Sequence, residues 1–392
     1  MYRTGARTAP FLFPKQEAFI VNRYLWLYAA AFAASFLISL AAVPFCRVLA
    51  RRTGIMDVPK SEGHKLHGKA TPLLGGVAIL VSWLLPVMAG AIALLAAPER
   101  FPEEIVGGFR NISGELAIIC VCAVAAVVLG VIDDKRSMRA SFKFAGQFLI
   151  AFAMVFFGGL HITLFIPTPF LTVPISVFWI VFIMNAMNFF DNMDGLSVGT
   201  AAIAFIFFAI AAWSGGQFFV AALSACSAGA CCGFWLFNKA PASIFMGDAG
   251  SHLVGFLLAV VSARVTYYNP DVAVAKYSVL IPLFILAVPV FDAFAVVLIR
   301  LHNHKPFYVG DHNHISHRFV RMGLTRPQAV RIIHLLSIVA GLGAIPLLWG
   351  DARTCFVLLA QGSVILLILT LLQFQTIQKP TEHQETTHHE QS

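Results

Sequence analysis

Charged side chains are scarce in this 392-residue sequence: Asp, Glu, Lys and Arg together make up 12%, against 59% hydrophobic residues. That shortage excludes a water-soluble domain hiding its apolar mass in one core, and a mean hydropathy of +0.81 makes the membrane the natural solvent. Cysteine pairing is missing too. Cys46, Cys120, Cys122, Cys226, Cys231, Cys232 and Cys355 all lie inside or at the edges of apolar runs, so they read as small packing residues, not as a disulfide frame or a metal site. No basic stripe interleaved with aromatics accompanies the net charge of +8, which argues against nucleic acid as a partner. There is no internal repeat. Residues 1–23 also lack the order of charged, apolar and small residues that marks a cleavable signal, so the first span is expected to stay in the mature protein.

What abounds is apolar sequence in lengths that cross about 30 Å of hydrocarbon. Such runs fall near 24–46, 74–97, 116–132, 144–160, 173–189, 198–213, 218–237, 253–267, 278–299, 332–349 and 355–374. The expected fold class is all-α, a polytopic integral membrane protein of about eleven transmembrane helices. Its expected division is a tail at 1–23, a transmembrane catalytic domain at 24–375 and a disordered polar tail at 376–392. Orientation follows from the basic residues. The segments after alternate spans hold Arg47, Arg51, Arg52, Lys65, Lys69, Lys135, Arg136, Lys143, Lys239 and Arg300, which places them, by the positive-inside rule, in the cytoplasm. Arg3, Arg7, Lys15 and Arg23 in the N-terminal tail point the other way, and the many short loops outvote them.

Acidic residues are few, yet five gather at cytoplasmic span ends: Asp133 with Asp134, Asp191 with Asp194, and Asp248. A single span-end acid is unremarkable in a membrane protein. Three clusters on one face repel one another, and a hard cation with oxygen ligands offsets that repulsion, Mg²⁺ shared with substrate phosphates being the natural choice and Mn²⁺ a substitute. Asn185, Asn188, Asp191 and Asp194 recur every three residues, so a continuing helix would project them from neighbouring sides. Asp248 lies between Gly247 and Gly250, on a turn whose backbone donors could reach phosphate, with Phe245 nearby as a flat surface for a base. Lys65, His67 and Lys69 precede Pro72 and the Gly75-Gly76 pair, a first basic segment whose backbone N–H groups can come close to an anion. The long polar connection carries His302, His304, His312, His314 and His317. Its spacing makes no tetrahedral zinc set, and anion binding by imidazole is the favoured reading.

Taken together these segments resemble the polyprenyl-phosphate N-acetylhexosamine-1-phosphate transferase family, of the glycosyltransferase family 4 type. DVPKSEGHKLHGKATPLLGG resembles its first cytoplasmic segment, GVIDD its aspartate pair, NAMNFFDNMDGL its central motif and FMGDAGS its metal turn, all in family order from Asp57 to His317. The resemblance implies a Mg²⁺-dependent enzyme of the bacterial inner membrane. It would pass N-acetylhexosamine 1-phosphate, GlcNAc-1-phosphate above all, from a UDP-sugar to undecaprenyl phosphate at the start of a cell-envelope polysaccharide. It assigns Asp133, Asp134 and Asp191 to catalysis and Asn188 and Asp248 to the metal. Asp194, Asn238 and Phe245 would form the uridine pocket; Lys65, His67, Lys69 and Lys143 would face phosphates; Asp311, His314 and His317 would lie near the sugar and diphosphate. A homodimer is among the assemblies it allows. One position departs: relatives read H-x-H-H where Ser316 interrupts His314-Ile315-Ser316-His317. Two other readings compete, a phospho-MurNAc-pentapeptide transferase and a secondary transporter. The transporter would want midplane ionisable groups and duplicated halves, and the sequence offers only Asp292.

Overall fold

Backbone amides without water must bond within their own segment, so long apolar runs become helices, and here they do. A computed structural model describes residues 24–58, 70–163, 168–265, 276–304 and 314–377. The proposed N-terminal tail and nearly all of the C-terminal one therefore lie outside the described residues, as do Lys65, His67, Lys69 and Asp311. The main helices are α1 (Leu25–Thr53), α2 (Gly75–Ala96), α3 (Glu103–Arg136), α4 (Ala140–Phe156), α5 (Pro169–Phe190), α6 (Leu196–Ser214), α7 (Phe218–Asn238), α8 (Gly247–Arg264), α9 (Ile281–Ile285), α10 (Ala287–His302), α11 (Ile315–Arg321), α12 (Arg326–Ala344) and α13 (Ala352–Ile377). Every one of the eleven apolar runs falls on a helix of this set. Seven helices among the described residues are individually long and apolar enough to span, and α9 with α10 makes an eighth if that bent pair is one crossing. The protein is an all-α, multi-pass membrane protein.

The bent pair departs from the single span expected at 278–299. Ser278–Ile285 and Ala287–His302 meet at 69°. Pro289 supplies the cause: it has no N–H for the Ile285 carbonyl and its ring crowds that carbonyl, so the chain breaks at Leu286.

Helix α8 is the axis of the bundle. It packs against α2, α3, α5, α6 and α7, and every residue from Ala249 to Ser262 is buried. A helix apolar on all sides has to sit inside others, and its small residues let those others come close. A Cβ on Gly76 of α2 or Gly130 of α3 would fall on the backbone around Ala249 and Gly250, and one on Gly255 would meet Met184 of α5. Outward-facing Trp26, Phe45, Leu95, Phe170 and Phe178 are left exposed, as a lipid-covered surface requires.

The only strands among the described residues, β1 (Met56–Asp57) and β2 (Thr71–Pro72), pair antiparallel and close the base of the basic segment. Beyond them the chain zips onto the start of α8: Phe245 N–H donates to the Pro72 carbonyl (2.8 Å), Gly75 N–H to Phe245 (3.1 Å) and Gly76 N–H to Met246 (3.0 Å). A second apolar cluster, Phe190, Met193, Leu196, Val288, Ile315, Phe319, Ala329 and Ile333, fastens α11 and α12 to the corner between α5 and α6.

Candidate active site

At one end of the helices the motifs converge on a cavity of about 660 Å³, lined by Asp57, Asp133, Asp134, Asn188, Asp191, Asn192, Asp194, Asn238, Phe245 and Asp248. A second cavity, about 610 Å³ and almost wholly apolar, lies among the opposite ends of α1, α2, α3 and α7. It holds none of the motif residues.

Three of the lining side chains meet on one lysine. Lys143, in the first turn of α4, places Nζ 2.8 Å from Asp133 Oδ2, 2.9 Å from Asp248 Oδ2 and 3.3 Å from Asn188 Oδ1. Three helices that meet only in the tertiary structure thus aim oxygen atoms at one positive charge. Asn188 also donates Nδ2 to Asp248 Oδ1 and to Ser251 Oγ (2.8 Å), which fixes its Oδ1 towards the lysine.

Each of the paired aspartates has a separate task. Asp133 accepts the Met138 N–H through Oδ1 (2.7 Å), which holds the turn beyond α3 and aims its other oxygen at Lys143. Asp134 accepts the N–H groups of Asp248 (2.8 Å) and Ala249 (3.2 Å), orphan donors at the start of α8. The sequence suggested that these backbone donors could serve a phosphate; they are already engaged by Asp134. Gly247 makes the approach possible with φ +67°, a conformation that costs other residues more.

The spacing of three did not continue as helix past Phe190. Asn192 Nδ2 bonds the Phe189 carbonyl (3.0 Å), offering the backbone an alternative to the helical ladder, and Gly195 turns with φ +74°. Asp191 and Asp194 consequently sit on a turn. Asp194 accepts Ala242 N–H (2.9 Å), while Asn238, 3% exposed, accepts Gly195 N–H (3.0 Å) and donates to the Ile244 carbonyl (2.9 Å). Both ties hold the two loops that frame Phe245 on the cavity wall.

Burial, with the carboxylates of Asp248, Asp134 and Asp194 nearby, pushes the Asp191 carboxyl up to about 8. In the unfolded chain it ionises near 4. Between those values the folded protein holds the extra proton, so this group's contribution to stability falls as pH rises through that window and is flat above it. The thermal midpoint of the detergent-solubilised, divalent-free protein is expected to drop from pH 5 to 8, with a shallower drop in Asp191→Asn. Equal slopes would mean that Asp191 is ionised throughout.

Residues that the motif reading passed over form a layer one turn deeper. Gln147 lies four after Lys143 and His252 four after Asp248; Gln147 exchanges hydrogen bonds with Asn185 (2.6 and 3.4 Å) and lies 3.0 Å from His252 Nε2. Their spacing of four from site residues was the available signal. Ser251 accepts from Asn188, Asp292 pairs with His314, and Ser316 bonds the cavity-lining Asn192; none of these three contacts can be read from spacing. His314 and His317 lie beside one another, ring centroids 6.5 Å apart, at the start of α11 and off the cavity lining.

No group of three or more His, Cys, Asp or Glu side chains among the described residues is disposed to hold a metal by itself. Asn188, Asp248 and Asp133 nevertheless already share one cation, the lysine ammonium. A partial oxygen set of this kind fits Mg²⁺, which keeps waters and binds through one or two carboxylates plus substrate phosphates.

The fold and site define a membrane-embedded protein with a pocket lined by carboxylate and amide groups, three of them joined by one lysine, at one end of its helices. Residues 116–266 match Glycosyl transferase family 4. A probable undecaprenyl-phosphate N-acetylglucosaminyl 1-phosphate transferase of Bacillus subtilis is 32% identical over 86% of this chain and 90% of its own length. A decaprenyl-phosphate N-acetylglucosaminephosphotransferase of Mycolicibacterium smegmatis is 28% identical over 86% of each. A phospho-N-acetylmuramoyl-pentapeptide-transferase of Bacillus velezensis is 35% identical over 61% of this chain and 74% of its own. The chain belongs to the polyprenyl-phosphate N-acetylhexosamine-1-phosphate transferase family.

Proposed function

We propose that the protein transfers N-acetylhexosamine 1-phosphate, GlcNAc-1-phosphate by preference, from a UDP-sugar to undecaprenyl phosphate at the cytoplasmic face of a bacterial inner membrane, releasing UMP. The observation that carries this reading is the convergence of Asp133, Asn188 and Asp248 on Lys143 at the wall of the polar cavity. The GlcNAc branch is favoured because its relatives match over more of the chain than the muramoyl-pentapeptide ones.

Chemically the task is to bring two anions together. An oxygen of the lipid phosphate forms a bond to the β-phosphorus of the UDP-sugar, the bond from that phosphorus to the bridging oxygen breaks, and UMP leaves with the electron pair. A lipid monophosphate is mostly ionised near pH 7, so the attacking oxygen needs orientation and charge relief more than a strong base. Lys143 supplies positive charge, aimed by Asp133. Asn188 and Asp248 would hold Mg²⁺, which when bound neutralises diphosphate oxygens. Asp134 keeps Asp248 in place through the first turn of α8. Asp191 lies close enough to these groups to act on the sugar nucleotide, and the loops tied by Asp194 and Asn238 present Phe245 to the uracil. The family resemblance assigns Lys65, His67 and Lys69, which fall between β1 and β2 in the sequence, to the substrate phosphates. The same resemblance assigns Asp311, His314 and His317 to the sugar and diphosphate, and the protein acts in its membrane as a monomer or homodimer.

Purified protein given polyprenyl phosphate, Mg²⁺ and a panel of UDP-sugars should release UMP, fastest with UDP-GlcNAc. Chelation by EDTA should stop release, and Mn²⁺ should restore it in part. Release only with UDP-MurNAc-pentapeptide would move the protein to the sister branch. Ion-coupled uptake into liposomes without UMP from any donor would overturn the transferase reading.

A further inference from the structure

The histidine segment is bound to the site by two buried polar contacts that the proposed chemistry has not used. Asp292 of α10 is 1% exposed and His314 4% exposed. Asp292 Oδ2 lies 2.7 Å from His314 Nδ1, and its Oδ1 accepts the Ile315 N–H at 2.7 Å. A carboxylate this deeply buried is tolerable only with both oxygens satisfied, and here one segment satisfies both. With Nδ1 committed, His314 has only Nε2 for any other partner.

Ser316 makes the second contact. It is fully buried, and its hydroxyl donates to Asn192 Oδ1 at 2.5 Å. Asn192 is held on its other side, Nδ2 on the Phe189 carbonyl, and its side chain lines the polar cavity. A chain of contacts therefore runs from Asp292 through His314, Ile315 and Ser316 to Asn192 and the turn that carries Asp191 and Asp194. Phe190, Met193, Ile315 and Phe319 pack around it. At the fully buried Ser316 an unmade hydrogen bond is costly, so the two ends are coupled rather than merely adjacent. Packing alone would be served by alanine at 316; the hydroxyl reaches the one neighbour that also faces the cavity.

We propose that Ser316 and Asp292 are positioning residues that latch the histidine segment to the central aspartate turn, so that Asn192 is presented to the sugar nucleotide in one fixed orientation. The latch rests on the transferase reading for its consequence, not for its existence. The test uses full-length protein in detergent with Ser316→Ala, Asn192→Ala, the double variant, Asp292→Asn and Ser316→Thr. Hydrogen–deuterium exchange without substrate is expected to speed up about tenfold both at 315–321 and at 189–196 in Ser316→Ala, as loss of one buried hydrogen bond implies. The double variant should exchange no faster than either single one. In UMP release, Ser316→Ala should raise KM for the sugar nucleotide about tenfold with kcat within about threefold and KM for lipid unchanged. Ser316→Thr, which keeps the hydroxyl, should restore it, and Asp292→Asn should show the same KM pattern. Unchanged exchange at 189–196 in Ser316→Ala, or effects of Ser316→Ala and Asn192→Ala that simply add, would overturn the latch. Absence of UMP release from the wild type would instead remove the transferase reading, and exchange would still decide whether the two segments are coupled.

Discussion

Asp248→Asn is expected to lower kcat for UMP release by about 10³-fold while the purified protein stays folded and monodisperse, the range seen when one preorganised electrostatic group is removed from a site. The substitution keeps the size of the side chain and removes only its charge. That charge is shared: Asp248 meets Lys143 through one oxygen and Asn188 through the other. Asparagine leaves Lys143 balanced by Asp133 alone, and it takes away a carboxylate proposed to hold Mg²⁺. Raising Mg²⁺ should recover little of the loss, because a neutral amide oxygen is a weaker ligand for a hard cation. UMP production by equal amounts of wild type and variant, judged by size exclusion and helicity, reads the outcome. Activity within about tenfold of wild type would remove Asp248 from the centre of the reaction.

How much of this was legible beforehand depends on what kind of information each feature needs. Apolar runs announced every main helix except the short, basic α11, because span length and hydropathy are local properties. The motifs identified Asp133, Asn188, Asp191 and Asp248, and the structure gathers them round one cavity. What stayed illegible was division of labour. Nothing in the pair Asp133-Asp134 says that one aims a lysine while the other caps a helix more than a hundred residues away, since both arise from where α3 meets α8. Asn238 read as a nucleotide ligand, and its spacing gave no sign that its amide also ties Gly195 to Ile244. Ser316 read as a missing histidine. Its contact with Asn192 could appear only once α11 was packed against the turn after α5. The bend at Leu286 was in principle readable from Pro289, but apolar length masked it.

Gly130→Ala should be severely damaging for a single added methyl group. Gly130 is in α3 three residues before Asp133, and a Cβ there would fall on the backbone of Asp248 and Ala249. Backbone cannot rotate away as the end of a flexible side chain can, so α3 and α8 must separate. The contacts that span this junction are the bonds from Asp134 to the first amides of α8 and the meeting of Asp133 and Asp248 on Lys143. A shift of about 1 Å is enough to cost roughly 10²-fold in turnover, and overpacking of a tight junction costs about 1–3 kcal/mol of stability. Gly114→Ala is the control. It lies on the same helix, yet its added Cβ would meet nothing within 4 Å. There the better helix propensity of alanine should leave stability equal or higher. Thermal unfolding in detergent and UMP release on the two variants separate close backbone approach from a general effect of glycine. If Gly130→Ala behaves like Gly114→Ala in both assays, the helix contact beneath Asp248 is looser than the structure shows, and the placement of the carboxylates must rest on their own hydrogen bonds.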